Sequence, residues 1–470
     1  MTTIRSPHTF RGGIHPAYNK DLAAGAAIRE LPTPARLTVP MSQHLGAPAK
    51  PAVKAGDTVK CGQLIGEQAG FISAPVHAPA GGKVAGIEQT VSASGRACAA
   101  VVIETGGSDE RQTMSGLTEW RQADRKDLAA RVGEAGVVGM GGAGFPTRVK
   151  LSPPSDKPID TVILNGAECE PYLTSDHRMM VERAREIRYG AEIIRHILGA
   201  KCLRVAIEDN KPDAIAAMEK AFADMDGDVA VTVLKTSYPQ GSEKQQIYSV
   251  TGREVPRGGL PMDVGCVVEN VSTAFAVFDA VVNGRPLVRR VITVTGDAIA
   301  QPANLLAPCG TLYSDLVAAC GGVAGQAAKV ISGGPMMGFA VSSLAVPTGK
   351  TASGLLLLSP KKISDFSSQA CIACGRCVDA CPMRLSPAEL SQCIEADDID
   401  GAEPLALMDC IECGSCAFVC PARRPLVHHM RRGKAVVMAR RAAAKARALR
   451  LDQPQHRLHR DHRVGGAGAQ

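Results

Sequence analysis

The chain has 470 residues, of which 45% are apolar, enough for several packed domains rather than one. Aromatic residues make up only 3%, which argues against a base-stacking surface and so against a nucleic-acid partner. The net charge of +7 is unevenly placed: from Arg423 onward thirteen Lys or Arg face two Asp, so a basic tail follows a body of net −4.

No apolar run opens the chain between Met1 and Arg11, and a secretory signal is not expected. The uncharged stretch 330–349 is interrupted by Gly333, Gly334, Pro335, Gly338 and Pro347, unlike a lipid-spanning helix. Eight of the 16 Cys lie at irregular spacing, which points to a reducing compartment, the cytosol.

Residues 1–35 read as an N-terminal extension. From 36 to 110, short alternating segments such as Val53–Val59 and Gly82–Ile87 are punctuated by Gly. This pattern resembles the lipoyl/biotinyl barrel-sandwich fold, in which a modified lysine sits at a hairpin tip. The matching tip, residues 66–74, contains no Lys, so a structural module without a swinging arm is expected.

Between 120 and 285 helical and strand patterns alternate, the signature of a parallel α/β sheet. Helices are expected at 124–134, 183–198 and 214–223, and strands at 159–164, 203–207 and 229–234. Gly136 is placed to end the first helix. Within this region Gly139-Met140-Gly141-Gly142-Ala143-Gly144-Phe145-Pro146-Thr147 contains a formal G-x-G-x-x-G. A helix precedes it where the dinucleotide fingerprint needs a strand, so the ordinary Rossmann reading fits badly and a plain tight turn stays open. Successive N–H groups without side chains nevertheless favour an anion, and Lys150 follows closely. Asn165, Glu168 and Glu170 lie just past the 159–164 strand, at the strand end where α/β sheets bind ligands. Asn270 and Thr273 open a helical run to Val282 and are equally suited to capping it.

Residues 286–350 return to short strands. After a linker at 360–368 come two cysteine runs, Cys371-x2-Cys374-x2-Cys377-x3-Cys381-Pro382 and Cys410-x2-Cys413-x2-Cys416-x3-Cys420-Pro421. A zinc site pairs two Cys-x2-Cys units. Two complete four-cysteine runs, each closed by Pro, instead match two-cluster ferredoxins, where the fourth Cys of each run ligates the other cluster. One [4Fe-4S] cluster is therefore assigned to Cys371, Cys374, Cys377 and Cys420, the other to Cys410, Cys413, Cys416 and Cys381. Helices are expected at 387–395 and 402–408, a basic helix at 435–449, and disorder at 465–470.

In their order these motifs resemble the RnfC family of the Rnf electron-transport complex, and more distantly the flavoprotein subunit of respiratory complex I. The resemblance rests on Phe10-Arg11-Gly12-Gly13-Ile14-His15-Pro16, the glycine loop, 164–171, 238–245, 251–261 and both cysteine runs. It implies a multidomain α/β protein with β modules: an extension (1–35), a barrel-sandwich module (36–110), a Rossmann-like FMN/NADH domain (120–285), a β-grasp soluble-ligand-binding module (286–350), a helical dicluster ferredoxin domain (362–424) and a basic tail (425–470). By matching position Gly139, Gly141, Gly142, Gly144, Phe145 and Lys150 would cradle the phosphate of non-covalent FMN and stack nicotinamide. Asn165, Glu168 and Glu170 would line the isoalloxazine and ribose region, the two Glu as catalytic candidates, and Asn270 and Thr273 would hold the flavin phosphate.

The resemblance further implies a peripheral subunit on the cytoplasmic face of the bacterial inner membrane, partnered by other Rnf subunits and NAD(H), and by ferredoxin indirectly. The complex would couple ferredoxin/NAD electron exchange to Na⁺ or H⁺ translocation. The tail reads either as a solvated helix face or as a contact for anionic lipid. A rival reading keeps the fold and clusters but binds no nucleotide.

Overall fold

The runs expected as strands at 159–164, 203–207 and 229–234 form the middle of a parallel sheet. Its order is Thr2–Arg5, Asp228–Leu234, Cys202–Glu208, Thr161–Gly166, Cys266–Asn270, all parallel. The protein is seen here as a computed structural model that describes residues 2–106, 110–363 and 367–451. Alternation along the central strand splits the core. Val162 and Leu164 face the helices Arg125–Glu134, Ala184–Leu198, Pro212–Phe222 and Val271–Val282, while Ile163 faces Glu243–Thr251. Each such fully buried side chain contributes about 1.5–3 kcal/mol.

Asp124 caps the first helix by accepting from Lys126 N, and Gly136 follows its end at φ +65°. Gly190 lets two helices touch: a Cβ there would lie 1.7 Å from the Ala274 carbonyl oxygen.

The first 35 residues, expected as an extension, are woven into two sheets. Thr2–Arg5 supplies an edge to the parallel sheet, and Ile28–Glu30 pairs with Ala303–Pro308 in the β-grasp sheet. Strands of three or four residues are too short for period-2 patterning to reveal. The mixed sheet of the segment expected as a β-grasp module runs Phe339–Val341, Lys329–Ser332, Gly354–Leu358, Arg289–Thr295, Ala303–Pro308, Ile28–Glu30, so one of its inner strands lies past residue 350. The barrel-sandwich segment forms two small antiparallel sheets around Leu37, Val39, Ile65, Val76, Val84 and Val101.

Around the cysteine runs, Leu390, Ile394, Leu407, Met430 and Val437 share a core. The stretch expected as a helix at 402–408 is instead the end of Ile399–Ala402 followed by a 3₁₀ turn, Leu407–Asp409. Ala406 at φ +64° breaks the helix there. The basic helix begins earlier than expected and spans Leu426–Leu451. Residues 465–470 lie outside the described residues.

Candidate functional site

The glycine loop leaves the Arg125–Glu134 helix and enters the short Thr147–Lys150 helix, so a helix does precede it. Gly139 N donates to Phe145 O (2.9 Å) and closes the loop, and Met140 N donates to Thr273 Oγ1 (3.0 Å). Gly141 packs on Asn270, where a Cβ would come 2.9 Å from Nδ2. Gly144 sits at φ +69° between modules, its missing Cβ 2.6 Å from Thr351 Cγ2 and 3.2 Å from His44 Cα. Gly141, Gly142 and Ala143 are exposed, and no described residue accepts from their N–H groups. Gly142 has open space where a Cβ would stand. Three such unpartnered donors in one turn are available to an anion.

Asn270 caps the Val271–Val282 helix by accepting from Ser272 N (2.8 Å), and its Nδ2 donates to Asp176 Oδ2 (2.6 Å). Ser272 Oγ donates to the other Asp176 oxygen (2.6 Å). Capping and site-building thus coincide at one residue.

The carboxylates are fixed rather than free. Glu168, at φ +46°, accepts from Asp176 N (2.7 Å), His177 N (3.1 Å) and Ser175 Oγ (3.3 Å) at the start of Ser175–Glu182. Glu170 accepts from Met336 N (3.2 Å) and Met337 N (2.7 Å) of the β-grasp module, and burial pushes its carboxyl up to about 7. Asn165 Nδ2 donates to Gly241 O (2.9 Å) while its Oδ1 accepts from Ala167 N and Gln246 Nε2. Lys150 Nζ binds Glu243 (2.9 Å) and Val268 O (2.9 Å), two residues down the strand that ends at Asn270. Glu269 beside it is buried, with one carboxyl oxygen unpartnered, and burial pushes it up to about 7.

The cysteine runs repeat one backbone path. Gly375 and Gly414 have φ of +75° and +85°, Ala373 and Glu412 of +52° and +57°, and each glycine leads into a short helix. Cys381, Cys410, Cys413 and Cys416 line one small cavity. Burial raises the Cys416 thiol, and neighbouring Cys413, Cys410 and Cys381 add to it. Cys377 packs with Cys416, Cys420 and Leu426, and Cys371 and Cys374 are exposed. Among the described residues no three His, Cys, Asp or Glu converge on a single-ion site.

The second run abuts the carboxylate segment. Cys169, Tyr238 and Cys413 share a buried cluster with Ile14 and Ala380, and Tyr238 OH donates to Cys413 O (2.7 Å). The arm around Gly13 stitches the two: Gly13 N donates to Ala380 O, and Ile14 and Tyr238 exchange backbone hydrogen bonds, all at 2.9 Å.

Four family models match along the chain in this order: the RnfC barrel sandwich hybrid domain over 8–108, the Nuo51 FMN-binding domain over 132–279, the SLBB domain over 291–340 and the 4Fe-4S dicluster domain over 370–424. Three relatives are C subunits of Rnf-type complexes. The chain is 48% identical over 425 residues (90% of this chain, 93% of the relative) to that of the proton-translocating ferredoxin:NAD(+) oxidoreductase complex of Clostridium ljungdahlii. It is 44% identical to that of the Na(+)-translocating ferredoxin:NAD(+) oxidoreductase complex of Acetobacterium woodii, covering 92% and 98%. It is 43% identical to that of the ion-translocating oxidoreductase complex of Rhodobacter capsulatus, covering 92% and 84%. The chain belongs to the RnfC family.

An FMN-binding domain and a 4Fe-4S dicluster domain therefore share this RnfC-family chain. Among its described residues no helix is long and apolar enough to cross a membrane. The open donors at Gly141–Ala143 and the free space at Gly142 fit a phosphate-bearing cofactor at this loop. The cavity walled by four thiols fits a cluster better than zinc: at Zn–S distances near 2.3 Å the sulfurs would converge on one ion.

Sequence reasoning missed Arg290, which is 3% exposed. Its Nε donates to Ala352 O (3.1 Å) and a terminal nitrogen to Met140 O (3.0 Å), so the β-grasp module holds the glycine loop from behind. It missed Asp176 and Tyr238 as well. A buried Arg in an Arg-Arg-Val-Ile strand looks no different in sequence from its half-buried neighbour Arg289.

Proposed function

We propose that this chain is the NAD(H)- and FMN-interacting electron-transfer subunit of a membrane complex that couples ferredoxin/NAD electron exchange to Na⁺ or H⁺ translocation, bound peripherally on the cytoplasmic face. The observation that carries it is the chain of contacts from the glycine loop through Asn270, Asp176 and Glu168, and on through the cluster of Cys169 and Tyr238, to Cys413. Bound FMN would supply the exchange between two-electron hydride chemistry and the one-electron chemistry of the clusters.

The chain's own residues do the holding. Gly141, Gly142 and Ala143 present backbone donors to the phosphate, and Thr273 and Asn270 fix that turn against the Val271–Val282 helix. Glu168, fixed by three donors, sets negative charge near the isoalloxazine region without needing to move a proton. Glu170 ties the ribose side to the β-grasp loop. Gly139, Gly144 and Phe145 shape the turn, Lys150 supports the strand end, and Asn165 pins the Gly241 loop. One cluster would be held by Cys371, Cys374, Cys377 and Cys420, the other by Cys410, Cys413, Cys416 and Cys381, and the cavity shared by the last four supports the crossed assignment. Tyr238 and Cys169 pack against Cys413, which favours the cluster of the Cys410 run as the one facing the flavin loop.

The rival, an iron–sulfur scaffold without nucleotide, leaves the open donors of the glycine loop without a purpose. The deciding experiment is anaerobic reconstitution followed by iron, sulfide and flavin quantitation and an NADH titration. One FMN and about eight irons per chain, with flavin bands bleached by NADH, are expected. Full clusters with no flavin uptake would leave the scaffold reading.

A further inference from the structure

A groove of about 370 Å³ runs between the Val271–Val282 helix and the Arg289–Thr295 strand, next to the linker at Arg111. Its volume lies in the range of roughly 300–1,000 Å³ typical of small-molecule sites. Ser272, Phe275, Ala276 and Asp279 line it from one helical face. It touches the glycine loop only at Met140; none of Gly141, Gly142, Asn165 or Glu170 lines it.

Its charge is lopsided. Arg111, Arg183, Arg285, Arg289 and Arg290 line it against Glu186 and Asp279. Three of these arginines are paired: Arg183 with Glu186 (3.9 Å), Arg285 with Asp279 (3.8 Å) and Arg289 with Glu30. Two are not. Arg111 forms no ion pair among the described residues. Arg290 is buried and its hydrogen bonds go to neutral acceptors, the Ala352 and Met140 carbonyls and Met140 Sδ. The two carboxylates that act on it, Asp176 and Glu168, are already held, the first by Asn270 and Ser272 and the second by the start of the Ser175–Glu182 helix. A buried guanidinium without a contacting counter-ion is costly, and an arriving anion would offset that cost.

We propose that this groove binds a small phosphate ester of mononucleotide size, at a site separate from the flavin loop. Arg111 and Arg290 take the phosphate, since a guanidinium fork matches phosphate oxygens. Phe275, Leu287 and Leu306 receive the apolar body. Because Arg290 also holds the Met140 carbonyl, and Met140 N donates to Thr273, occupancy of the groove is felt by the glycine loop. That coupling rests on the flavin reading above and is reciprocal by linkage.

The test uses the full chain with clusters reconstituted and FMN and NAD⁺ at saturation, titrated calorimetrically with ADP and, separately, inorganic pyrophosphate. ADP is expected to bind more tightly than pyrophosphate. Arg111→Gln should weaken ADP by about ten-fold, the loss of one charge-assisted contact, and leave FMN affinity unchanged. An ADP isotherm that vanishes as FMN or NAD⁺ saturates would assign the anion to the flavin or dinucleotide site and overturn the proposal. Equal ADP affinity in wild type and Arg111→Gln would overturn it too. Failure of the flavin reading shows separately, as absent FMN uptake, and the wild-type and Arg111→Gln titrations then still decide the groove.

Discussion

Glu170 stands just past the end of a central strand of the parallel sheet. A carboxylate at a strand's end invites a catalytic role, and residue type and position were both legible. That its oxygens are taken by Met336 and Met337 N–H was not, because those donors come from another module 166 residues on. The pH consequence follows from its burial, which raises the carboxyl from about 4.5 to about 7. Below the lower value Glu170 is protonated folded or unfolded, and its contribution to stability is fully present. As pH rises through about 7, the folded state must carry a buried charge and that contribution is lost. Thermal unfolding between pH 5 and 8 should therefore show a fall in stability that Glu170→Gln makes shallower, buried Glu269 supplying a fall of the same sign; parallel curves for the two proteins would rule this out. At Thr273 the expectation concerns the cofactor. Thr273→Val strips Met140 N of its acceptor, a loss of about 1–3 kcal/mol for a donor left unsatisfied. FMN affinity measured by fluorescence quenching should drop by about ten-fold while both clusters assemble normally.

Among the elements, the long helices and the middle strands of the parallel sheet were readable from apolar periodicity, since each buries a face of its own. The helices Ser175–Glu182 and Glu243–Thr251 were not expected, and the elements hardest to read are those whose reason lies in a partner. Thr2–Arg5 and Ile28–Glu30 are strands only because a sheet edge accepts them. Gly190 is likewise silent in sequence, yet it sets how closely Ala184–Leu198 approaches Val271–Val282. Gly190→Ala drives a methyl into the Ala274 carbonyl and should cost about 1–3 kcal/mol by overpacking. Gly142→Ala, with open space around it, is the control: its melting temperature should match wild type. The tail helix shows the same lesson. As sequence it reads either as a solvated helix face or as a contact for anionic lipid. In the fold Arg424, Arg431, Arg432, Lys434, Arg440 and Arg441 pair with Glu395, Glu412, Asp397, Asp400 and Glu403 of the cluster domain, and Met430 and Val437 are buried against it. The exposed pairs among these, at Arg432, Arg440 and Arg441, are worth at most about 1 kcal/mol each, so the packing matters more. Truncation after Arg432 removes Lys434 and Val437 and should lower cluster retention, read as iron per chain. Truncation after Arg441 should keep both clusters.

Over the whole molecule the order of modules could be read because each carries its own local signature: Gly-punctuated strands, a glycine loop, paired cysteine runs. Their mutual arrangement could not, because it depends on single contacts between distant segments, such as Gly13 to Ala380 and Tyr238 to Cys413. That arrangement makes the two cysteine runs unequal. The Cys410 run is buried against Tyr238 and Cys169, whereas Cys371 and Cys374 are exposed, so electrons from the flavin loop should reach the Cys410 cluster first. The crossed ligation proposed above turns this into a sharp expectation. Cys381→Ser, though it alters the first run, should abolish the cluster of the second and leave about four irons per chain. The remaining cluster is then cut off from the flavin. Rapid mixing with NADH should bleach FMN while that cluster stays oxidised. Cys420→Ser should do the opposite: the Cys371 cluster is lost, and the surviving one is reduced as fast as in wild type. If the cluster surviving in Cys381→Ser were reduced at the wild-type rate, either the order of the two clusters or the crossing of their ligands would have to be abandoned, and electron paramagnetic resonance of the two variants would tell which.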